Sequence, residues 1–208
     1  MNYACIAFEG AKRIAAGDLR QVAVKAKAVM DRGERAPVLI FDAVTSELIE
    51  VDFRGTGEEV VQRLAPPAAA EEGPRRPGRP KLGVVAREVT LLPRHWEWLN
   101  SQPGGASVAL RKLVEEARKL NAGKDRVRRA QEAAYRFMSA MAGDEPGFEE
   151  ATRALFAGRP ERFETWVRGW PKDVRDHAKE LAVGAWREAG NDGVEGGEKR
   201  SGQEVQRT

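Results

Sequence analysis

A proline-rich segment near the middle of the sequence places the strongest limit on how the chain folds. Residues 66–82 contain five of the eleven prolines among 208 residues, and no aromatic residue. Because proline lacks an amide donor and fixes φ, such a segment favours an extended linker over a packed core. We therefore expect separate domains at residues 1–65 and 83–190, and a disordered tail at residues 191–208, which is rich in Gly and Glu.

The first domain is predicted to be a small α+β unit. Asp18 is placed to cap an amphipathic helix that Gly33 ends, and Thr56 and Glu59 have the spacing of a capping box. The other predicted elements are strands at 3–8, 13–16, 38–41 and 48–53, with Ile49, Val51 and Phe53 inward, and a short helix ending near Leu64.

The second domain is predicted to be mainly helical. It opens with a strand-prone segment at 84–92, a helix that begins at Pro93, a break at 103–105 and a second helix. Apolar stripes then indicate four more helices before residue 190, and the tryptophans at 96, 98, 166, 170 and 186 are expected to anchor the core. The fold class is therefore α+β: a small α+β unit, a basic Pro-rich linker, and a helical domain that begins with strand, helix and helix.

Positive charge is concentrated in the middle of the chain, although the net charge is only +3. Lys and Arg outnumber Asp and Glu by four to two at 66–82 and by ten to five at 83–129, whereas residues 1–65 carry nine against ten. This placement favours an anionic partner, and a solvated basic face is the alternative.

The basic residues of the linker are Arg75, Arg76, Arg79 and Lys81. The sequence Pro77-Gly78-Arg79-Pro80 resembles the core of an AT-hook, except that Pro77 stands where that family has an arginine. The resemblance implies contacts with phosphates or with an AT-rich minor groove, where the negative potential is enhanced. A soluble basic linker is the alternative interpretation.

The segment from Val84 to Ala117 resembles the ribbon-helix-helix class of DNA-binding proteins. The resemblance is carried by residues 89–93, Trp96 and Leu99 and, after the helix break, by residues 105–107 and 110–117. It implies a homodimer whose paired strands enter the major groove, and a second helix whose first amides face a phosphate. The residues implied in DNA binding are Arg87, Thr90, Gly105, Ser107, Arg111 and Lys112.

The facing of this strand stays open, because Leu91 and Leu92 are both apolar. If Leu91 faces inward, Thr90 lies on the groove side; if Leu92 faces inward, Arg87 does. A strand and helices that simply pack within a helical domain are the alternative to a DNA-reading ribbon.

The residues that could carry catalysis are few. His95 and His177 are the only histidines, Cys5 is the only cysteine, and His177 follows Asp173 by four residues. Such a pair is common on helix surfaces, and a lone cysteine in a strand is typical of a core. We therefore expect no enzyme activity, no cofactor and no metal site, and we expect a cytoplasmic protein without a membrane span.

The chain to about residue 190 resembles a bacterial family catalogued as domain of unknown function 2239. The resemblance is carried by residues 41–45, 79–96, 102–110 and 133–138. The residues themselves favour a DNA-binding homodimer, a transcriptional regulator or nucleoid-associated protein that uses the basic arm and the ribbon-helix-helix-like segment. The alternative is a protein-interaction or assembly module that does not bind DNA.

Overall fold

A computed structural model describes residues 4–33, 36–64 and 85–186 of the protein. They form strands β1 (Ala4–Glu9), β2 (Lys12–Asp18) and β3 (Val38–Asp42), and helices α1 (Leu19–Asp31), α2 (Gly57–Arg63), α3 (Pro93–Ser101), α4 (Gly105–Leu120), α5 (Ala122–Ala142), α6 (Phe148–Phe156), α7 (Pro160–Val167) and α8 (Lys172–Trp186). The predicted α+β class is confirmed. The predicted linker at 66–82 and tail at 191–208 lie outside the described residues.

The strands form an antiparallel sheet in the order β2-β1-β3. Gly10 lies in the two-residue turn between β1 and β2 with φ +52°, a left-handed conformation that glycine adopts without a steric cost. A bulge follows: Ala7 pairs with Ala15, Phe8 pairs with Arg13, and Ile14 is left as the extra residue. The predicted hairpin is thus confirmed.

The two predicted helix N-termini are also confirmed. Asp18 accepts a hydrogen bond from the backbone N–H of Arg20 at 2.9 Å and caps α1. At α2, the backbone N–H of Thr56 donates to the Glu59 carboxylate at 2.7 Å, and the N–H of Glu59 donates to Thr56 Oγ1 at 3.3 Å. Each cap satisfies amides that have no acceptor within their own helix.

The sheet is buried on both faces. On one face, Cys5 and Ala7 pack against α1; on the other, Ile6 and Phe8 share a cluster with residues of α5 and α8. The ring of Phe137 in α5 lies 5.3 Å from that of Phe8, centroid to centroid. One α-helix covers only one face of a sheet, so the second face requires the C-terminal helices.

This packing changes the predicted division of the chain. The described residues up to Leu64 and from Gly123 to Trp186 form one compact unit, here called unit 1, whereas the described residues at 85–122 form unit 2. The predicted boundaries at 1–65 and 83–190 therefore differ from those observed. The reason is the apolar second face of β1, which joins the N-terminal part of the chain to α5 and α8.

Residues 48–53 do not form the predicted strand. Leu48 makes a single bridge with Phe41, and the N–H of Ile49 donates to the carbonyl of Ile40 at 2.8 Å. The predicted inward set was right, because Ile49, Val51 and Phe53 are partly buried against the α1 side of the sheet.

The tryptophans are only partly the core anchors that were expected. Trp170 is buried, and its indole N–H donates to the carbonyl of Pro146 at 3.1 Å. Trp96 and Trp186 are half-buried. For Trp98 and Trp166 the prediction was wrong, since 51% and 45% of their surfaces are exposed.

Candidate nucleic-acid interface

The described part of unit 2 contains α3 and α4 but very little core. Among residues 85–122, only Leu99 and Ala109 are buried. The remaining apolar side chains of these two helices are exposed or half-buried. A pair of helices with so little buried apolar area has little to offset its loss of conformational entropy.

Residues 85–92 form no strand within the chain, which corrects the predicted strand at 84–92 as far as this segment is described. Strand hydrogen bonds need a neighbouring strand, and none of β1–β3 pairs with this segment. Thr90 and Arg87, the two predicted readers, are both exposed, while Leu91 is half-buried and Leu92 is 48% exposed. The inward residue is therefore Leu91.

The turn before α4 depends on glycine. Gly104 has φ +86°, and a Cβ at this position would lie 3.1 Å from the Cβ of Val108. The N–H of Gly105 donates to the carbonyl of Gln102 at 2.9 Å, so this amide is not available to a phosphate as predicted. Ser107 is exposed in the first turn, and no side chain caps this helix.

The predicted apolar stripe of α4 is present and points to solvent. Its members recur every three or four residues, at Leu110, Leu113, Val114, Ala117 and Leu120. Leu113, Val114 and Leu120 are 43%, 64% and 82% exposed. An ordered row of exposed apolar side chains on one helix face is typical of an interface.

The cations of unit 2 differ in how well they are neutralised. Arg118 forms an ion pair with Glu115 at 2.8 Å, which lowers the pKa of that carboxyl through the hydrogen bond from its guanidinium. Arg111 folds back, and its Nε donates to the carbonyl of Ser107 at 3.1 Å. Lys112 and Lys119 make no ion pair with any described residue, and Val108, Arg111, Glu115 and Glu116 line a shallow depression with them. Lys119 acts electrostatically on the nearby Glu115 without forming an ion pair, and both lysines on the polar side of α4 are suited to phosphate contacts.

Helix α5, in unit 1, carries four more cations of the basic region at 83–129: Lys124, Arg126, Arg128 and Arg129. There Arg128 pairs with Asp125 at 3.0 Å and lies 3.9 Å from Glu132. The Nε of Arg129 donates to the carbonyl of Asp125 at 3.0 Å. These contacts partly neutralise the charge of Arg128 and hold the guanidinium of Arg129 against the backbone of its own helix.

The four cations of the predicted arm, Arg75, Arg76, Arg79 and Lys81, lie outside the described residues. Of the predicted DNA-binding residues that are described, Gly105, Ser107, Arg111 and Lys112 lie together on the first two turns of α4. Arg87 and Thr90 lie in the segment that precedes α3.

His177 and Asp173 do not pair with each other, although they lie four residues apart in α8. Asp173 accepts the backbone N–H of Arg13 at 2.9 Å, and His177 Nδ1 lies 3.1 Å from a carboxylate oxygen of Glu180. Burial lowers the pKa of His177, and its ring lies edge-on to that of Phe137 at 4.6 Å. His177 is thus a core residue of unit 1, which sequence spacing alone did not indicate.

Of the other two residues that could carry catalysis, Cys5 is placed in the core and His95 is exposed. Cys5 is buried, and burial raises the pKa of its thiol. Within the described ranges, no three His, Cys, Asp or Glu side chains gather in a way that could hold a metal ion. No described helix is both long enough and apolar enough to span a membrane.

Comparison with known protein families identifies a family for the chain. The model of a family described as an uncharacterized protein conserved in bacteria, DUF2239, matches residues 4–182. No curated protein and no solved structure shows significant similarity to the chain. The predicted family resemblance is confirmed, and it extends over both units.

Proposed function

The chain belongs to this bacterial family, and we propose that it is a DNA-binding protein that acts as a homodimer, as a transcriptional regulator or a nucleoid-associated protein. The observation that carries the proposal is the exposed apolar stripe of α4, with Lys112 and Lys119, which form no ion pair with a described residue, on the other side of the same helix. One helix thus offers a face for a protein partner and a face for phosphates.

The proposed partner of the apolar stripe is a second copy of the chain. The stripe runs along most of α4, so two copies of it can pack antiparallel and bury each other's Leu113 and Val114. The segment at 85–92 supports the same arrangement, because its β-prone residues lack a neighbouring strand and a second copy would supply one. The order of this segment, α3 and α4 is that of a ribbon-helix-helix protein.

The proposed ligand of the basic residues is the DNA backbone. Lys112 and Lys119 on α4 would contact phosphates, and the cations of the arm at 75–81 would add up to four contacts. Base reading would fall to Thr90, which lies on the side opposite Leu91, if the segment at 85–92 enters the major groove as one strand of a ribbon.

Fluorescence anisotropy with AT-rich and GC-rich duplexes over a salt series tests this proposal. Replacing Arg75, Arg76, Arg79 and Lys81 together by Ala should flatten the slope of log affinity against log salt by about 3–4. The preference for AT-rich duplex should shrink as well, since arginines in a narrow minor groove would carry it.

Arg168→Ala is the matched control for charge, because Arg168 is exposed in unit 1 and makes no ion pair with a described residue. It should leave the salt slope unchanged, and circular dichroism checks the fold of every variant. If the wild-type protein binds neither duplex even at low salt, DNA binding is wrong.

The apolar stripe also favours a second candidate function, a protein-interaction or assembly module. In that case another protein covers Leu113, Val114 and Leu120, and association strengthens or stays constant as salt rises. The salt series separates the two candidates, since phosphate binding weakens steeply with salt.

A further inference from the structure

A groove in unit 1, well separated in sequence from α3 and α4, has the composition of an anion site. It runs between the β1–β2 hairpin and one side of α1, with a volume of about 910 Å³. Its lining residues are Glu9, Lys12, Arg13, Ile14, Lys25, Ala28, Val29, Arg32 and Ala36.

Two local features of the chain build this groove. Along α1, Lys25, Val29 and Arg32 recur at intervals of four and three residues and therefore lie on one side of the helix. In β2, the bulge at Ile14 interrupts the alternation of side chains, so that Arg13 and Ile14 line the groove together. Val29 is buried and Ile14 half-buried, which gives the groove an apolar floor.

Four cations line this groove against the single carboxylate of Glu9. Lys12, Lys25 and Arg32 are exposed and form no ion pair with any described residue. Arg13 is positioned by two contacts with α8. Its guanidinium lies 3.7 Å from the Glu180 carboxylate, and its backbone N–H donates to Asp173. Cations that converge on a concave surface raise the local concentration of anions more than the same charges on a flat one.

We propose that this groove binds a small molecule that carries two or more phosphate groups on an aliphatic or sugar body. Phosphate is the anion whose oxygens accept charge-assisted hydrogen bonds from several Lys and Arg donors at once. The apolar floor at Ile14 and Val29 would contact the body of the ligand. The volume of the groove lies within the range of sites for small ligands, whereas a nucleic-acid backbone is typically bound on an open face.

The proposal does not depend on DNA binding. A phosphorylated ligand in unit 1 would make the protein responsive to a metabolite whichever partner unit 2 has. Arg13 would transmit the effect of ligand binding to the core of unit 1, since it contacts Glu180, and Glu180 also contacts His177.

Isothermal titration calorimetry of the full chain with inorganic pyrophosphate tests the site, at constant ionic strength and with inorganic phosphate as the weaker comparison. Lys25→Glu should weaken pyrophosphate binding about tenfold or more, because it replaces an attraction by a repulsion. Arg20→Glu is the matched control: Arg20 is also exposed on α1 but does not line the groove, so less than about a twofold change is expected. Lys12→Glu, in the hairpin, repeats the test on a second element of the groove.

The result that supports the site is pyrophosphate binding that both groove variants weaken and the Arg20 variant does not. If Lys25→Glu fails to fold, the Lys12→Glu variant decides. Absence of pyrophosphate binding, or equal losses in the Arg20 variant and a groove variant, overturns the proposal. So does a titration in which Lys25→Glu weakens the binding of a short DNA duplex but pyrophosphate does not compete with that duplex, because the groove would then be a nucleic-acid contact.

Discussion

Units 1 and 2 differ in where their apolar side chains lie. In unit 1, Phe8, Phe41 and Phe137 are completely buried, and their rings contact one another. In the described part of unit 2, Leu99 and Ala109 are the only buried residues, while the stripe of α4 is exposed. Unit 1 thus buries a core of its own, whereas the described part of unit 2 leaves an apolar face exposed, which is the face that the proposed dimer would bury.

The largest effect is expected from a cavity in unit 1. Phe137→Ala removes a ring that lies 5.3 Å from those of Phe8 and Phe41, and the surrounding core cannot collapse fully into the space. We expect the free energy of unfolding, measured with urea, to fall by about 3–5 kcal/mol.

Leu99→Ala provides the comparison in unit 2. Leu99 is also buried, but the core around it in unit 2 is smaller. The free energy of unfolding should therefore fall by less than in Phe137→Ala. If the free energy of unfolding falls equally in the two variants, the core of unit 2 contributes as much to stability as that of unit 1, and the proposed difference between the units is wrong.

A smaller effect, confined to association, is expected from a charge on the stripe. Leu113→Glu places a carboxylate on the exposed apolar side of α4 and should weaken dimerisation at least about tenfold. The urea unfolding of unit 1 should stay as in the wild type. Lys112→Glu is the control, since it puts the same side chain on the polar side of the helix, and light scattering over a concentration series provides the readout.

The smallest expected effect is on how stability depends on pH, and we expect it at a histidine of unit 1 but not at the histidine of unit 2. Burial lowers the pKa of His177 below its ordinary value of 6.5, so the unfolded chain binds a proton more readily than the folded one. Stability from this group is complete above that value and is lost as pH falls through it toward the lower pKa of the folded state.

Urea midpoints between about pH 7.5 and about pH 5.5 measure this dependence. His177→Phe should reduce the fall in stability toward acid pH, whereas His95→Asn, at an exposed histidine of unit 2, should keep the wild-type profile. If both variants behave alike, the burial of His177 is not what makes stability depend on pH.

The local structure of this protein could be read from its sequence because its signals are short-range. Asp18, Gly33 and the Thr56–Glu59 box fixed helix ends through contacts within a few residues. The apolar stripes of α4 and α5 were found through their spacing. The strand predicted at 48–53 does not form. Alternation of apolar and polar residues indicates which side chains face inward, but it does not show whether a partner strand lies close enough to pair.

The division into units could not be read from the linker alone. Cys5, Ile6, Ala7 and Phe8 are a continuous apolar run, which is typical of a strand buried on both faces, and this signal predicts a second layer over β1. The local sequence does not show which helices form that layer, since Phe137 and Ala178 lie more than a hundred residues away from β1.

The candidate interface was predicted in part. Spacing placed Ser107, Arg111 and Lys112 on one helix, but it could not show that Gly105 uses its amide in a turn. Nor could it show that Arg118 is neutralised by Glu115, because a helix offers each side chain several neighbours of either charge.

Sedimentation velocity of the 208-residue wild-type chain at micromolar concentration tests whether a second copy of the chain covers the apolar face of unit 2. We predict one species of twice the chain's mass, which Leu113→Glu converts to a monomer that remains folded by circular dichroism. A wild-type protein that stays monomeric over the whole concentration series would contradict the account, because Leu113, Val114 and Leu120 would then remain exposed without a second copy.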